Sequence, residues 1–420
     1  MLKNYVIIAL RSLLKNKGYS FINIGGLAIG LASSILILLW VADEYSFDKF
    51  QTNYNHLYKL YQSSEWNKGH IGTGNSMPFP MKETLPSVSS QIKYICMTNW
   101  GEGNMVQVGE KRMTKMGLSV SEDFLKMFSF NLIKGDQQHA LDDPTSIVIT
   151  ESTAKALFGD DEPMGQFIRI DNDREQKVTG VIHDLPRQTE FRFDYLLPFG
   201  FYEATQSWVR RAKNRWDNNS FQMYVQLNDG ATEAEVNNTI RDVIKNNNPK
   251  SPTAKLFLHP MSKWRLHSNF EEGVNTGGRI DYVRLFTAIA VFVLVIACIN
   301  FMNLATARSE SRAKEVGIRK SIGSRRNELI AQFLGESVAI TAFSFVLAIA
   351  LVELLLPSYN LLVDKNIVVN YSNPTVWIVA ISLVLVIGLF TGSYPAFYLS
   401  GFQPVKVLKG LQAGTKGNFL

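Results

Sequence analysis

Four uninterrupted apolar stretches, residues 21–41, 283–305, 331–356 and 375–399, constrain this chain more than any other feature. Each is long enough to cross a hydrocarbon core of roughly 30 Å as a helix. A soluble helix of that length keeps a polar stripe. Phe21 to Val41 keeps none: FINIGGLAIGLASSILILLWV holds one Asn and no charge. Lys3, Arg11, Lys15 and Lys17 precede it, as they would a cleaved leader. Its apolar run is longer than the about 7–15 residues of a leader, and Trp40-Val41-Ala42-Asp43 offers no small-x-small cleavage site. It is therefore read as a retained anchor, and with no Cys nearby a lipoprotein leader is excluded. The expected fold class is a membrane protein with four transmembrane α-helices and a large α+β extracytoplasmic domain inserted between helices 1 and 2.

Charge sets the orientation. Residues 42–282 hold 27 Lys+Arg against 31 Asp+Glu, whereas the rest of the chain holds 16 against 6. The excess positives precede the first helix, follow the fourth (Lys406, Lys409, Lys416), or lie between the second and third: Arg308, Arg312, Lys314, Arg319, Lys320, Arg325 and Arg326. Short basic loops stay cytoplasmic, while long domains cross whatever their charge. Residues 1–20 are then a cytoplasmic amphipathic segment, 42–282 an outer domain, 306–330 a cytoplasmic loop, 357–374 a short outer loop and 400–420 a cytoplasmic tail. Both termini lie inside. The basic loop is short, interrupted by Glu310, Glu315 and Glu328, and tethered to the bilayer, so a nucleic-acid partner is not expected.

The 42–282 segment alternates strands and helices. His56 to Tyr61 alternates apolar and polar residues as a half-buried strand does. Ser146 to Thr150 is a β-branched run feeding a short helix, Glu151 to Phe158, stopped by Gly159. Gln166 to Ile170 and Gln176 to Ile182 predict a hairpin around Asp171-Asn172-Asp173. Thr232 to Lys245 predicts a helix capped by Thr232 with Glu235 three residues on, and Lys255 to His259 one more strand. Two subdomains are expected. Cys96 lies in this polar region and Cys298 in the second apolar run, so no disulfide is expected.

Catalytic chemistry finds little support. His183 and Asp184 are adjacent on a strand, point to opposite faces and read as a polar turn closed by Pro186. Asp160-Asp161-Glu162 and Glu271-Glu272 lack nearby His or regular ligand spacing and read as solvated loops rather than metal sites. No Gly-x-Ser-x-Gly elbow occurs. Trp208, Trp216, Arg210, Arg211, Lys213 and Arg215 form a basic-aromatic stretch open to lipid headgroups or a partner, and read first as a solvated edge. Glu336 and Glu353 in the third helix read as interfacial or inter-helix groups rather than an ion relay.

The most specific segment is Ala307 to Ser337, ARSESRAKEVGIRKSIGSRRNELIAQFLGES. Lys314 to Lys320 predicts a short amphipathic helix ended by Gly323, suited to a soluble partner at the membrane face. Glu315-Val316-Gly317-Ile318-Arg319-Lys320-Ser321-Ile322-Gly323 resembles the signature loop of the FtsX-like permease family, which includes MacB-type and LolC/LolE-type ABC transporters. Ile147 to Glu151 through Phe158-Gly159, Pro163-Met164-Gly165, and Val178 to Pro186 resemble that family's MacB-like periplasmic core domain. Tyr394-Pro395-Ala396, Ser400 and Pro404 are also similar.

The resemblance implies a mechanism and a setting: a bacterial inner membrane, a cytoplasmic ABC ATPase docked on the loop, and helices that relay its motion outward for export or extraction. It implies Glu315, Val316, Gly317, Ile318, Arg319, Lys320, Ile322 and Gly323 as the ATPase contact. No G-x-x-x-x-G-K-[ST] occurs, so no cofactor is expected in this chain, and ATP-Mg belongs to the partner. The chain itself is not expected to be an enzyme. A second permease copy, a paralogue or a second half would complete a working pair, since some relatives repeat the whole unit. A periplasmic adaptor, or a cell-wall hydrolase switched by the same mechanics, are further partners; the hydrolase regulator is the alternative function, and a stand-alone sensor a third.

Overall fold

The computed structural model describes residues 17–67, 69–307, 316, 318, 320 and 325–400. The chain divides into two compact units, a helical one (Met1–Ala42 with Val283–Leu420) and a mixed α and β one (Asp43–Tyr282).

Lys17–Ser46, Arg279–Ala307, Arg326–Val363 and Pro374–Ser400 are helices. All four are long and apolar enough to cross a membrane. They outrun the apolar stretches that announce them, the third most of all at 38 residues. Its start is fixed by Glu328, whose carboxylate accepts the Arg325 backbone N–H at 3.0 Å and sits where the helix dipole favours an acid. It runs through Pro357 and stops at Asp364, whose φ of 50° is left-handed.

Small residues let these helices meet. A Cβ on Gly30 would lie 2.4 Å from that of Ala297, and the Ser34 hydroxyl donates to the Ala290 carbonyl at 3.0 Å. On the fourth helix, a Cβ on Gly388 or Gly392 would come within 2.7 Å of Val338 or Ser337 on the third. In lipid, where apolar surface gains nothing by leaving the solvent, close backbone approach of this kind is what associates helices. Leu27, Leu31, Phe301, Ala348 and Val352 fill the interior. Phe292, Val346, Leu354 and Val386 remain exposed, as lipid-facing side chains do.

In the mixed unit one 13-stranded sheet has two regions. Six strands close into a barrel: Tyr195–Pro198, Ser146–Thr150, Arg174–Ile182, Phe167–Ile170, Glu102–Val108 and Lys111–Val120. Tyr195–Pro198 closes the ring, pairing in parallel with Gly117–Val120 and antiparallel with Val148 and Ile149. Val106, Ile147, Ile149, Ile168, Val178 and Leu197 fill it. Gly117 has no side chain because the Tyr195 ring occupies that space; a Cβ there would lie 2.4 Å from it.

Ile92–Thr98, Asn219–Leu227, Leu57–Asn67 and Lys255–Pro260 form the second region, an antiparallel sheet joined to the barrel by Thr98 pairing with Val120. Side-chain alternation sends Met97, Met223, Val225 and Leu60 into one core, and Cys96, Tyr224 and Leu57 into another on the opposite face. The outermost strand, Lys255–Pro260, has its free edge occupied: the Leu256 N–H donates to the Arg241 carbonyl and the Leu258 N–H to Asn237 Oδ1.

The local expectations hold. The Ser146 strand and Glu151 helix are present, with Gly159 at φ 68°. The hairpin turns through Asp171 and Asn172 at φ 48° and 61°, the two positive values of a tight hairpin turn. Thr232 caps its helix, accepting the Glu235 N–H at 3.4 Å, but that helix breaks after Ile240 and resumes at Val243. Residues 43–282 form one compact unit whose sheet has two regions, the barrel and the antiparallel region, with separate cores.

Candidate functional site

Of the eight residues expected to meet an ATPase, Val316, Ile318 and Lys320 are described, each in helical conformation. Glu315, Gly317, Arg319, Ile322 and Gly323 lie outside the described residues. Val316 is 2% exposed and packs with Leu329 and Phe333 of the third helix and Ala396 of the fourth. Ile318 is 51% exposed. Two residues apart on a helix they face opposite ways. Val316 is therefore an internal anchor, while Ile318 is offered outward. Ala396, singled out in the sequence, supplies the floor of this seat.

Within the mixed unit, a charged cluster gathers where the chain enters and leaves it. The Glu44 side chain has no solvent exposure. Arg265 donates to it through Nε at 2.9 Å and Nη2 at 3.2 Å, Arg279 through Nη1 at 3.4 Å. Arg265 also reaches Glu190 at 3.4 Å and lies 4.0 Å from the centre of the Phe47 ring. Burial works against the Arg265 charge, but hydrogen bonds and attraction from Glu44 and Glu190 outweigh it and raise its pKa.

Asp48 is buried next to this pair. It accepts from the Thr189 hydroxyl and the Glu190 backbone N–H. Burial raises its pKa to about 6; the hydrogen bonds and Lys59 oppose the rise, and the Glu190 charge adds to it. The Lys59 ammonium lies 4.7 Å from the Trp264 ring centre and 5.4 Å from that of Tyr224. Burial lowers its pKa against the pull of Glu190 and Asp48. Sequence reading missed this cluster. Its one local trace is acidic residues, Asp43, Glu44 and Asp48, directly after an apolar run.

The remaining singled-out residues disperse. His183 lies 3.6 Å from Glu151, while Asp184 accepts the Ser152 N–H at 2.9 Å, so the two do not converge. Glu162 pairs with Lys134 at 2.6 Å and Glu272 with His70 at 3.0 Å. Asp160 and Asp161 stay exposed, and so does Glu271. Trp208 is stacked on Phe221 and packs on the core together with Trp216, which corrects the solvated-edge reading for both rings. Lys213 and Arg215 are exposed and paired with Glu203 and Asp217, and Arg210 and Arg211 are exposed. Glu353 accepts from the Tyr371 hydroxyl, and Glu336 is buried among the helices. Cys96 and Cys298 are both buried free thiols, as expected.

Comparison with known proteins places these parts. Residues 20–243 match the MacB-like periplasmic core domain, and residues 287–404 the FtsX-like permease C-terminal region. The macrolide export ATP-binding/permease protein MacB of Bdellovibrio bacteriovorus is 24% identical over 340 residues, covering 78% of this chain and 48% of that protein. An uncharacterized ABC transporter permease of Bacillus subtilis, YvrN, is 23% identical over 96% of this chain and 99% of its own length. Among solved structures, the periplasmic region of MacB from Actinobacillus actinomycetemcomitans aligns at 15% identity and a TM-score of 0.37, covering 50% of this chain and 92% of that one. The chain spans about half the length of MacB relatives such as the Bdellovibrio protein.

Proposed function

The chain belongs to the family that combines a MacB-like periplasmic core domain with an FtsX-like permease region, and from that premise we propose that it is the transmembrane part of an ABC transporter that relays ATP-driven motion to its inserted domain for export or extraction of substrate. It is a membrane protein, and the family implies a cytoplasmic ATPase as partner. ATP hydrolysis is assigned to an ATPase beyond these 420 residues, because no phosphate-cradling Gly-x-x-x-x-Gly-Lys-Ser/Thr loop occurs among them. Export is the direction carried in the names of the MacB relatives. Residues 42–282 are assigned to the outer side, with both termini and the 306–330 loop inside, on the distribution of Lys and Arg.

The observation that carries the coupling role is the pair Val316 and Ile318. One side chain is locked between the inner parts of two apolar helices while the other faces away. A push received at Ile318 would thus reach the third and fourth helices through Val316.

Single cysteines at Ile318 and at the exposed Trp100 test the arrangement in intact cells, in a variant lacking the two native thiols. A membrane-impermeant thiol reagent should label position 100 and spare 318 until the membrane is opened. In vesicles that also hold the partner ATPase, position 318 should crosslink to it. Labelling of both positions from one side would overturn the proposal.

A further inference from the structure

We propose that the domain binds a neutral, hydroxyl-rich ligand, a short glycan, in a pocket between the Leu57–Gly74 hairpin and the Asn269–Gly277 hairpin. The pocket has a volume of about 440 Å³, and Tyr61, Thr73, Asn75, Asn269, Phe270 and Glu271 are among its walls. That size is within the usual range for small-molecule sites.

The chemistry of the walls selects the ligand class. Among the described residues that line the pocket none is Lys or Arg, so none of them recruits a phosphate or carboxylate. The neighbouring carboxylate, Glu272, is already occupied by His70 and the Ile71 N–H, both at 3.0 Å. What remains is an amide pair, three hydroxyl residues and one carboxylate, groups that hydrogen-bond in both senses at short spacing. Vicinal sugar hydroxyls present the same alternation of donor and acceptor.

Aromatic surface supplies the second half of such a site. The Tyr61 and Phe270 rings lie 5.2 Å apart at 34°. They are buttressed by Phe257, 5.8 Å from each, and by His259, 4.9 Å from Tyr61 and 5.5 Å from Phe270. Tyr61 and Phe270 also line the pocket, where their open edges can meet the C–H groups of a pyranose.

Among the described residues, one pocket-lining atom, Thr73 Oγ1, is buried without a hydrogen-bond partner on the protein. Buried polar atoms are nearly always satisfied, and an exception in the wall of a cavity points to a hydroxylated occupant. Burial lowers the His259 pKa to about 4, so the imidazole is neutral and adds no charge.

An extended peptide fits less well, because peptide addition needs a row of unpaired main-chain groups. Here the Ile71 N–H is taken by Glu272, the Asn269 carbonyl by Asn275 at 3.1 Å, and Asn269–Glu271 is paired with Val274–Gly277.

Saturation-transfer NMR on the full chain in lipid nanodiscs tests the site, with chitobiose and maltose as probes. Transfer to at least one disaccharide is expected, weakened about tenfold or more in Phe270→Ala, the equivalent of ~1.4 kcal/mol. Gly74→Leu guards against a folding artefact: Gly74 lines the pocket, and a Cβ there would meet nothing within 4 Å. It should abolish transfer, while Trp100→Ala, an exposed ring outside the pocket lining, leaves it intact. The proposal is overturned by absence of transfer to both sugars, by transfer that survives both Phe270→Ala and Gly74→Leu, or by stronger transfer to a neutral capped Ala-Thr-Asn-Gly peptide.

Discussion

Glu44 and Arg265, 221 positions apart in sequence, meet as a two-point ion pair with contacts of 2.9 and 3.2 Å. The carboxylate is wholly shielded from solvent, and Arg279 approaches it from the other end of the inserted segment. Removing one partner leaves the other charged and buried, which costs roughly 3–5 kcal/mol, whereas replacing both with apolar groups is often near neutral. Glu44→Ala should therefore lower the unfolding midpoint of the detergent-solubilised chain markedly, and Glu44→Leu with Arg265→Met should recover most of the loss. A midpoint unchanged in Glu44→Ala would show that the pair carries no stability.

Asp48 adds a pH dependence with a definite sign. Its pKa rises from 3.8 to about 6 on folding, through burial. A raised carboxyl pKa contributes stability that is fully present below about pH 4 and is lost as pH climbs through about 6, here roughly 3 kcal/mol. Asp48→Asn, which cannot ionise, should flatten that part of the stability profile between pH 4 and 7. Parallel chemical-denaturation curves for the two proteins across this range would contradict the assignment.

Gly388 and Gly392 make a third case. Gly388→Val forces a side chain against the Val338 backbone, 2.7 Å from where its Cβ would stand. Overpacking of this kind costs about 1–3 kcal/mol. Gly25→Val, on the first helix with nothing within 4 Å of the added Cβ, should be tolerated. Membrane accumulation and melting of the two variants should separate accordingly; equal behaviour would rule out a tight contact between the third and fourth helices.

The coupling residues should split by role. Val316→Ala removes two buried carbons and should cost about 2 kcal/mol of stability. Ile318→Ala should leave the melting point unchanged and reduce stimulation of the partner ATPase by about fivefold, or ~1 kcal/mol. Both residues behaving as stability mutants, with ATPase stimulation intact, would remove Ile318 from the contact surface.

What the sequence discloses is what local rules govern. Apolar length announced the four helices, and alternation and capping announced the Ser146 strand, the Glu151 helix and the Asp171-Asn172 turn. Closure of the barrel was not legible, because it depends on Tyr195–Pro198, a four-residue run ending in a proline, pairing with two distant strands at once. The Glu44, Asp48 and Arg265 cluster was hidden for the same reason, since each residue alone reads as ordinary surface charge. Trp208 was misjudged because the arginines beside it advertise solvent, while its own ring stacks on Phe221.

The closed ring of six strands has a bearing on how this protein tolerates crowding. A membrane surface holds many identical domains at high local concentration, where any open strand is an invitation to a neighbour's. A ring offers none along its circumference, and at the far end of the second region the Lys255–Pro260 strand already spends its Leu256 and Leu258 amides on Arg241 and Asn237. Along these two stretches the domain therefore offers no open strand edge to a neighbouring copy.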